Sequence, residues 1–153
     1  GTLERLGDAL GRPATAEAFG DKFLVKFANG ETIQGASVAE ADTYAVFFNK
    51  DSIGTNESEL GGNLAKMAIY TLSESDKIPA YVLFMNEGVK LVTGVEPQIV
   101  ENLNTLIEKG SKVLVCGTCL NFYGLTDEIK VGTVSNMYDI LGAMQEVSKV
   151  IKL

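Results

Sequence analysis

The chain has 153 residues, 46% of them apolar, and it carries 13 lysines and arginines against 20 aspartates and glutamates, a net charge of −7. It is long and apolar enough to bury one core of ordinary size with a small appendage, which argues against wholesale disorder. The lysines and arginines are scattered along an acidic chain. This distribution argues against recognition of a nucleic-acid backbone and against adhesion to an anionic membrane.

No apolar run approaches the roughly 20 residues of a membrane span, and no signal peptide opens the sequence, so we expect a cytoplasmic protein. The sequence contains no histidine and only two cysteines. Ser-His-Asp and Cys-His catalysis are therefore excluded, and two thiolates cannot complete a four-ligand structural zinc site. We expect neither a metal nor a cofactor.

The first part of the chain predicts one helix and one β-hairpin. Leucines recur at helical spacing over 3–10, and strand-like segments at 16–19 and 22–27 flank a Gly-Asp turn. One helix and one hairpin are too little for an independent core. We therefore interpret 1–37 as a small α+β segment of something larger, followed by a linker at 38–42.

From residue 43 onward, apolar strand-like runs alternate with helical patterns. This alternation predicts an α/β fold, a three-layer α/β/α sandwich with a mainly parallel five-stranded sheet, although strand order cannot be inferred. The predicted strands are 44–48, 81–86, 112–116, 131–134 and 149–153. The predicted helices are 57–72, 96–110, a shorter piece at 120–129, and 137–147 with Asn136 as its cap. Helical spacing predicts inward stripes, Leu60, Leu64, Met67 and Leu72 in the first helix and Ile140, Leu141, Met144 and Val147 in the last.

Ligands of open α/β sheets bind beyond the carboxyl ends of the strands. Cys116 ends a predicted strand, and Gly117 after it allows a sharp turn. The backbone N–H groups of residues 117–119 are expected to converge on a Cys116 thiolate and make it reactive. The alternative is that Cys116 is a buried cysteine that acts as a small hydrophobe.

Cys116 and Cys119 form a C-x-x-C pair, which has several explanations. The pair could be a thioredoxin-like dithiol, half of a zinc site shared by two subunits, or a carrier cysteine with a second thiol that resolves a persulfide. The glycines at 54–62 suggest phosphate binding, but no Walker lysine follows, and helix capping explains them better.

The sequence resembles the DsrE-like sulfurtransferases, and within them most closely the sulfurtransferase-like proteins of selenium metabolism. The residues that carry the resemblance are 84–91 (FMNEGVKL), 110–120 (GSKVLVCGTCL), 131–140 (VGTVSNMYDI) and the Gly54-x₅-Leu60-Gly61 pattern, so that it spans nearly all of 43–153. It implies a DsrE-type fold, frequent homo-oligomers, and a persulfide-carrying cysteine that falls on Cys116.

Relatives in this family also have an N-terminal TusA-like domain with a Cys-Pro-x-Pro motif. Residues 1–37 resemble the closing helix and hairpin of such a domain, but the motif is not in this sequence. Because residue 1 is glycine, we expect the natural chain to begin earlier.

Our leading hypothesis is a sulfur or selenium carrier that loads Cys116 from a donor protein and passes the atom to an acceptor thiol. Cys119 either releases the cargo by forming a disulfide or keeps the site reduced. The candidate binding residues are Asn86, Lys90, Gly117, Thr118 and Asn136. The alternatives are a non-catalytic binding module of a selenium or sulfur pathway and a dithiol redox protein.

Overall fold

The structure is a computed structural model that describes residues 42–54 and 57–153 in full, and only the backbone of strands at 14–19, 22–27 and 32–34. The chain divides into two units, residues 1–41 and 42–153. The first contains β1 (Ala14–Phe19), β2 (Lys22–Phe27) and β3 (Thr32–Gln34), which form an antiparallel sheet in that order. The hairpin of β1 and β2 agrees with the prediction, whereas β3 was not predicted. The helix predicted at 3–10 lies outside the described residues.

The second unit has five strands that alternate with helices. The strands are β4 (Tyr44–Phe48), β5 (Tyr81–Phe84), β6 (Lys112–Cys116), β7 (Thr133–Ser135) and β8 (Lys149–Lys152). The helices are α1 (Ser58–Glu74), α2 (Lys90–Thr93), α3 (Pro97–Glu108), α4 (Gly117–Phe122) and α5 (Met137–Glu146), with 3₁₀ turns at Asn86–Val89 and Thr126–Glu128.

All five strands are parallel, in the order β7-β6-β5-β4-β8. The central strands are buried on both faces, which explains why their sequences are nearly continuous apolar runs rather than alternating ones. Val46, Val82 and Val115 have an exposed fraction of 1% or less, and the rings of Phe48 and Phe84 stack with centroids 5.3 Å apart. The predicted α/β fold with a parallel five-stranded sheet is confirmed.

The inward face of α1 differs from the prediction. Its buried residues are Gly61, Ala65, Ile69 and Ser73, whereas Leu60 and Met67 are 59% and 61% exposed. The helix approaches the loop after β4 so closely that a Cβ on Gly61 would lie 2.7 Å from the carbonyl oxygen of Ile53. Small residues therefore occupy most of the buried stripe, together with Ile69. Of the predicted inward residues, Leu72 packs against the core, while Leu60, Leu64 and Met67 are exposed.

The ends of the other helices follow from local sequence signals. Pro97 occupies the first turn of α3, which ends before Gly110 at a φ of +112°. Asn136 caps α5, since its Oδ1 accepts a hydrogen bond from the Asp139 N–H at 2.9 Å, as predicted. In α5 the buried residues are Ile140 and Ala143, and Leu141, predicted to point inward, is 47% exposed.

No helix in the described part of the chain is both long and apolar enough to cross a membrane.

Candidate functional site

Three neighbouring strands bring polar residues and a cysteine to one edge of the sheet. Asn49 follows β4, Asn86 comes two residues after β5, and Cys116 is the last residue of β6. Because these strands are parallel and hydrogen-bonded side by side, their carboxyl ends meet at the same edge. This edge is where the sequence predicts the chemistry.

Cys116 is both the end of β6 and the N-cap of α4, and its side chain is buried. It is 5% exposed and belongs to the apolar core. Its side chain accepts no capping hydrogen bond from the first turn of α4, so the prediction that the amides of 117–119 converge on this sulfur is wrong. The side chain packs into the core instead of returning over the helix.

Cys119 lies three residues further on, in the first turn of α4, and is half-buried. The backbone N–H of Asn86 donates a hydrogen bond to Cys119 Sγ at 3.1 Å, and the Cys119 side chain also interacts with that of Cys116. The amide donor at this site therefore comes from the loop after β5 and not from the helix that contains the cysteines.

Asn86 is held in an unusual backbone conformation. Its φ is 51°, in the left-handed region that asparagine tolerates better than other residues with a side chain. Its Nδ2 donates to Oδ1 of Asn49, and the 3₁₀ turn that it begins continues through Gly88. A Cβ on Gly88 would lie only 2.2 Å from the carbonyl oxygen of Phe48, so this turn sits directly against β4.

Two opposing influences act on the Cys119 thiol. Burial raises its pKa most, the hydrogen bond with Cys116 and the charge on Cys116 raise it further, and the Asn86 N–H lowers it. The pKa of Cys119 is raised on balance, so this thiol keeps its proton at a pH where an unperturbed thiol begins to ionise.

We expect alkylation of Cys119 by iodoacetamide to reach half its maximal rate at a higher pH than alkylation of an exposed peptide thiol, because only the thiolate reacts. Replacing Cys116 with serine should move this midpoint down, since it removes the thiol partner and its charge. The measurement is the alkylation rate of Cys119 against pH, followed by peptide mass mapping. A midpoint at or below that of the free thiol would contradict the assignment.

The remaining predicted residues at α4 have packing roles or are exposed. The helix begins at Gly117, earlier than the predicted 120, and a Cβ there would lie 3.1 Å from Cγ1 of Val134 and 3.2 Å from the oxygen of Ser135. Gly117 therefore allows the close approach of β7. The chain changes directly from strand to helix at this residue, as the predicted sharp turn requires, without a positive φ. Thr118 is exposed beside the cysteines.

Lys90 and Asn136 are not in contact with the thiols. The Lys90 Nζ lies 4.7 Å from the centroid of the Tyr123 ring, which follows α4, and Lys90 also borders a cleft of about 330 Å³ between α1, α2 and the start of α3. Asn136 caps α5 and hydrogen-bonds Asp139.

The glycine-containing loop before α1 does not match the expected helix capping. The N-cap of α1 is Glu57, and its side chain makes no capping hydrogen bond. Across the described residues, no group of three or more Cys, His, Asp or Glu side chains is arranged to hold a metal ion.

The sequence alone does not connect Asn49 and Gly88 with the cysteines. The available signal was the Asn-Glu-Gly sequence at a strand end, because asparagine and glycine are the residues that most readily leave a strand through a left-handed turn.

A comparison with protein-family profiles matches residues 42–153 to the DsrE/DsrF-like family. Among solved structures, the chain is similar to the ychN protein from E. coli, with 16% identity and a TM-score of 0.53 over 72% of this chain and 99% of that one. It is also similar to a conserved protein of unknown function, BT1422, from Bacteroides thetaiotaomicron, with 15% identity and a TM-score of 0.55 over 76% and 100%. A search of curated proteins found no match. At these identities the structural likeness establishes the fold alone.

Proposed function

The chain belongs to the DsrE/DsrF-like family, whose members are generally related to sulfur transfer, and from that premise we propose that it carries sulfur or selenium on Cys116 and passes it to an acceptor thiol. The observation that carries the proposal is the close pair of free thiols, Cys116 and Cys119, at the carboxyl edge of a parallel sheet. Thiolate attack on a donor persulfide leaves the transferred atom bound to the cysteine sulfur.

The surroundings of the pair suit such chemistry. The Asn86 N–H donates a hydrogen bond to Cys119 Sγ at 3.1 Å. It is a fixed amide dipole beside the sulfur, and such donors favour the thiolate form. This hydrogen bond is the one interaction that lowers the pKa of the Cys119 thiol, against the burial that raises it.

The burial of Cys116 limits how a donor reaches it. The sulfur retains only a small exposed surface, while Gly117 and Cys119 are partly exposed and Thr118 is exposed. A donor or an acceptor thiol therefore approaches from the side of α4, because the core covers the other sides of Cys116.

Our proposal includes selenium as a possible cargo, because the sequence resembles the YedF-like proteins of selenium metabolism. It also includes protein donors and acceptors, a cytoplasmic location, and a TusA-like origin for residues 1–37. The antiparallel hairpin of β1 and β2 is the feature that supports that origin.

The proposal also includes self-association. The described surface exposes large apolar side chains on three elements, and such patches mark interaction surfaces on folded proteins. These side chains are Leu60, Met67 and Tyr70 on α1, Phe122 at the end of α4, and Met137 and Tyr138 at the start of α5.

Two other functions remain alternatives. A binding module would not use the thiols, whereas a dithiol redox protein would cycle between the free pair and its disulfide. The hydrogen bond between Asn86 and Cys119 favours a function that uses sulfur over the binding module. The left-handed Asn86 backbone is unfavourable for a residue with a side chain, and it aims the Asn86 N–H at a thiol.

The test is the consumption of a low-molecular-weight persulfide by the protein. We expect the protein to remove about one sulfane sulfur per chain from glutathione persulfide, measured by cyanolysis of what remains. The control is a variant with both cysteines replaced by serine, which should remove none. Equal consumption by the two proteins would overturn the proposed function.

A further inference from the structure

The structure offers a specific role for Cys119, and the inference rests on the proposed function. We propose that Cys119 is the resolving thiol of a loaded carrier: it attacks the Cys116 sulfur, closes a Cys116–Cys119 disulfide and expels the cargo as hydrosulfide or hydroselenide. The protein would then release a free chalcogenide ion as well as hand an atom to an acceptor thiol.

The first support is the position of the two residues on α4. Cys116 is the N-cap and Cys119 is in the first turn of the same helix, so a single turn separates them. Both are free thiols, and their side chains interact. The reaction between them avoids the entropy cost of bringing two molecules together.

The second support concerns the two sulfurs of a persulfide on Cys116 and the one that Cys119 can attack. The Cys119 side chain interacts with that of Cys116, whose Sγ would become the inner sulfur of a persulfide. Attack on the inner sulfur forms the disulfide and expels the outer atom, whereas attack on the outer atom would only move the cargo to Cys119. The interaction between the two free thiols is therefore with the atom that becomes the inner sulfur.

The third support is the difference in burial between the cysteines. Cys116 is 5% exposed and surrounded by apolar side chains, which hinder an external thiol from attacking its inner sulfur. Cys119 is the half-buried neighbour on the exposed side of the pair. It is therefore the thiol placed to carry out this attack, and an expelled ion leaves past it.

The step balances without an external oxidant. The bond between the two cysteine sulfurs forms as the bond to the outer sulfur breaks, and the electron pair of the broken bond leaves with the outer sulfur. The Cys119 sulfur is oxidised from thiol to disulfide, the outer atom is reduced to hydrosulfide, and the Cys119 proton ends on that ion. A dithiol reductant is needed only to return the protein to its free-thiol form.

The test compares the wild-type chain with Cys119→Ser after each is exposed to glutathione persulfide and freed of it. We expect the wild-type chain to release about one hydrosulfide ion per chain and to lose two hydrogens in intact mass, as a disulfide does. Cys119→Ser should keep its added sulfur and release hydrosulfide on the order of 10²-fold more slowly, because the attack becomes bimolecular. The Cys116→Ser variant measures release that does not involve Cys116.

The outcomes distinguish the resolving role of Cys119 from the carrier function of Cys116. If Cys119→Ser gains sulfur but the wild-type chain retains its sulfur equally well, or both release it equally fast, the resolving role is overturned and the carrier function stands. If Cys119→Ser gains no sulfur while its circular dichroism spectrum is native, the carrier function itself fails. If the wild-type chain forms the disulfide and only Cys119→Ser retains the added sulfur, the resolving role is supported.

Discussion

Replacing Gly88 with alanine should destabilise the protein by about 3 kcal/mol or more, because the added methyl group would overlap the backbone of β4. The new Cβ would lie 2.2 Å from the carbonyl oxygen of Phe48 and 2.9 Å from its carbonyl carbon. That oxygen also accepts the hydrogen bond from the Met85 N–H at 3.1 Å, so the 3₁₀ turn cannot move away without losing it. Urea unfolding followed by circular dichroism measures the change in free energy.

Gly142→Ala is the matched control, since it makes the same chemical change in a different environment. Gly142 lies inside α5, and nothing is within 4 Å of the position of its Cβ. Alanine there should stabilise the protein by roughly 0.5–1 kcal/mol, because glycine is the poorer helix former. Equal effects of the two substitutions would show that the 3₁₀ turn does not pack against β4 as described.

The same variant also tests how the site is positioned. Moving the 3₁₀ turn away from β4 moves the N–H of Asn86 away from Cys119, and this is the one interaction that lowers the pKa of that thiol. We therefore expect the alkylation midpoint of Cys119 in Gly88→Ala to rise above that of the wild-type chain in whatever fraction of the protein stays folded.

The strands were predictable because a strand that is buried on both faces has a nearly continuous run of apolar residues. β4 and β6 have the predicted bounds, Tyr44–Phe48 and Lys112–Cys116. β5 ends two residues before its prediction, since Asn86 adopts a left-handed backbone that no strand can contain. Apolar character alone carries no information about that turn.

The buried faces of the helices and the burial of Cys116 were harder to predict from the sequence. Large apolar residues of α1 at helical spacing suggest an inward stripe, but close packing against Ile53 selects the small residues Gly61 and Ala65 for the buried face. The contact between Asn86 and Cys119 joins residues 33 positions apart, and strand order, which the sequence does not reveal, is what brings them together.

Replacing Cys116 should abolish loading completely, because serine and alanine cannot form a persulfide. Cys116→Ser would also place a hydroxyl in an apolar core and cost about 1–3 kcal/mol, so Cys116→Ala serves as the second variant and circular dichroism as the check on folding. Cys119→Ser leaves Cys116 as the only cysteine, since the sequence has two, and it keeps the apolar surroundings of the loaded sulfur.

The most direct measurement is the intact mass of Cys119→Ser and Cys116→Ala after incubation with glutathione persulfide and desalting. The carrier account predicts that Cys119→Ser gains the mass of one sulfur atom and that Cys116→Ala gains none. A gain confined to Cys116→Ala would place the cargo on Cys119, and no gain in either folded variant would refute the claim that this protein carries sulfur.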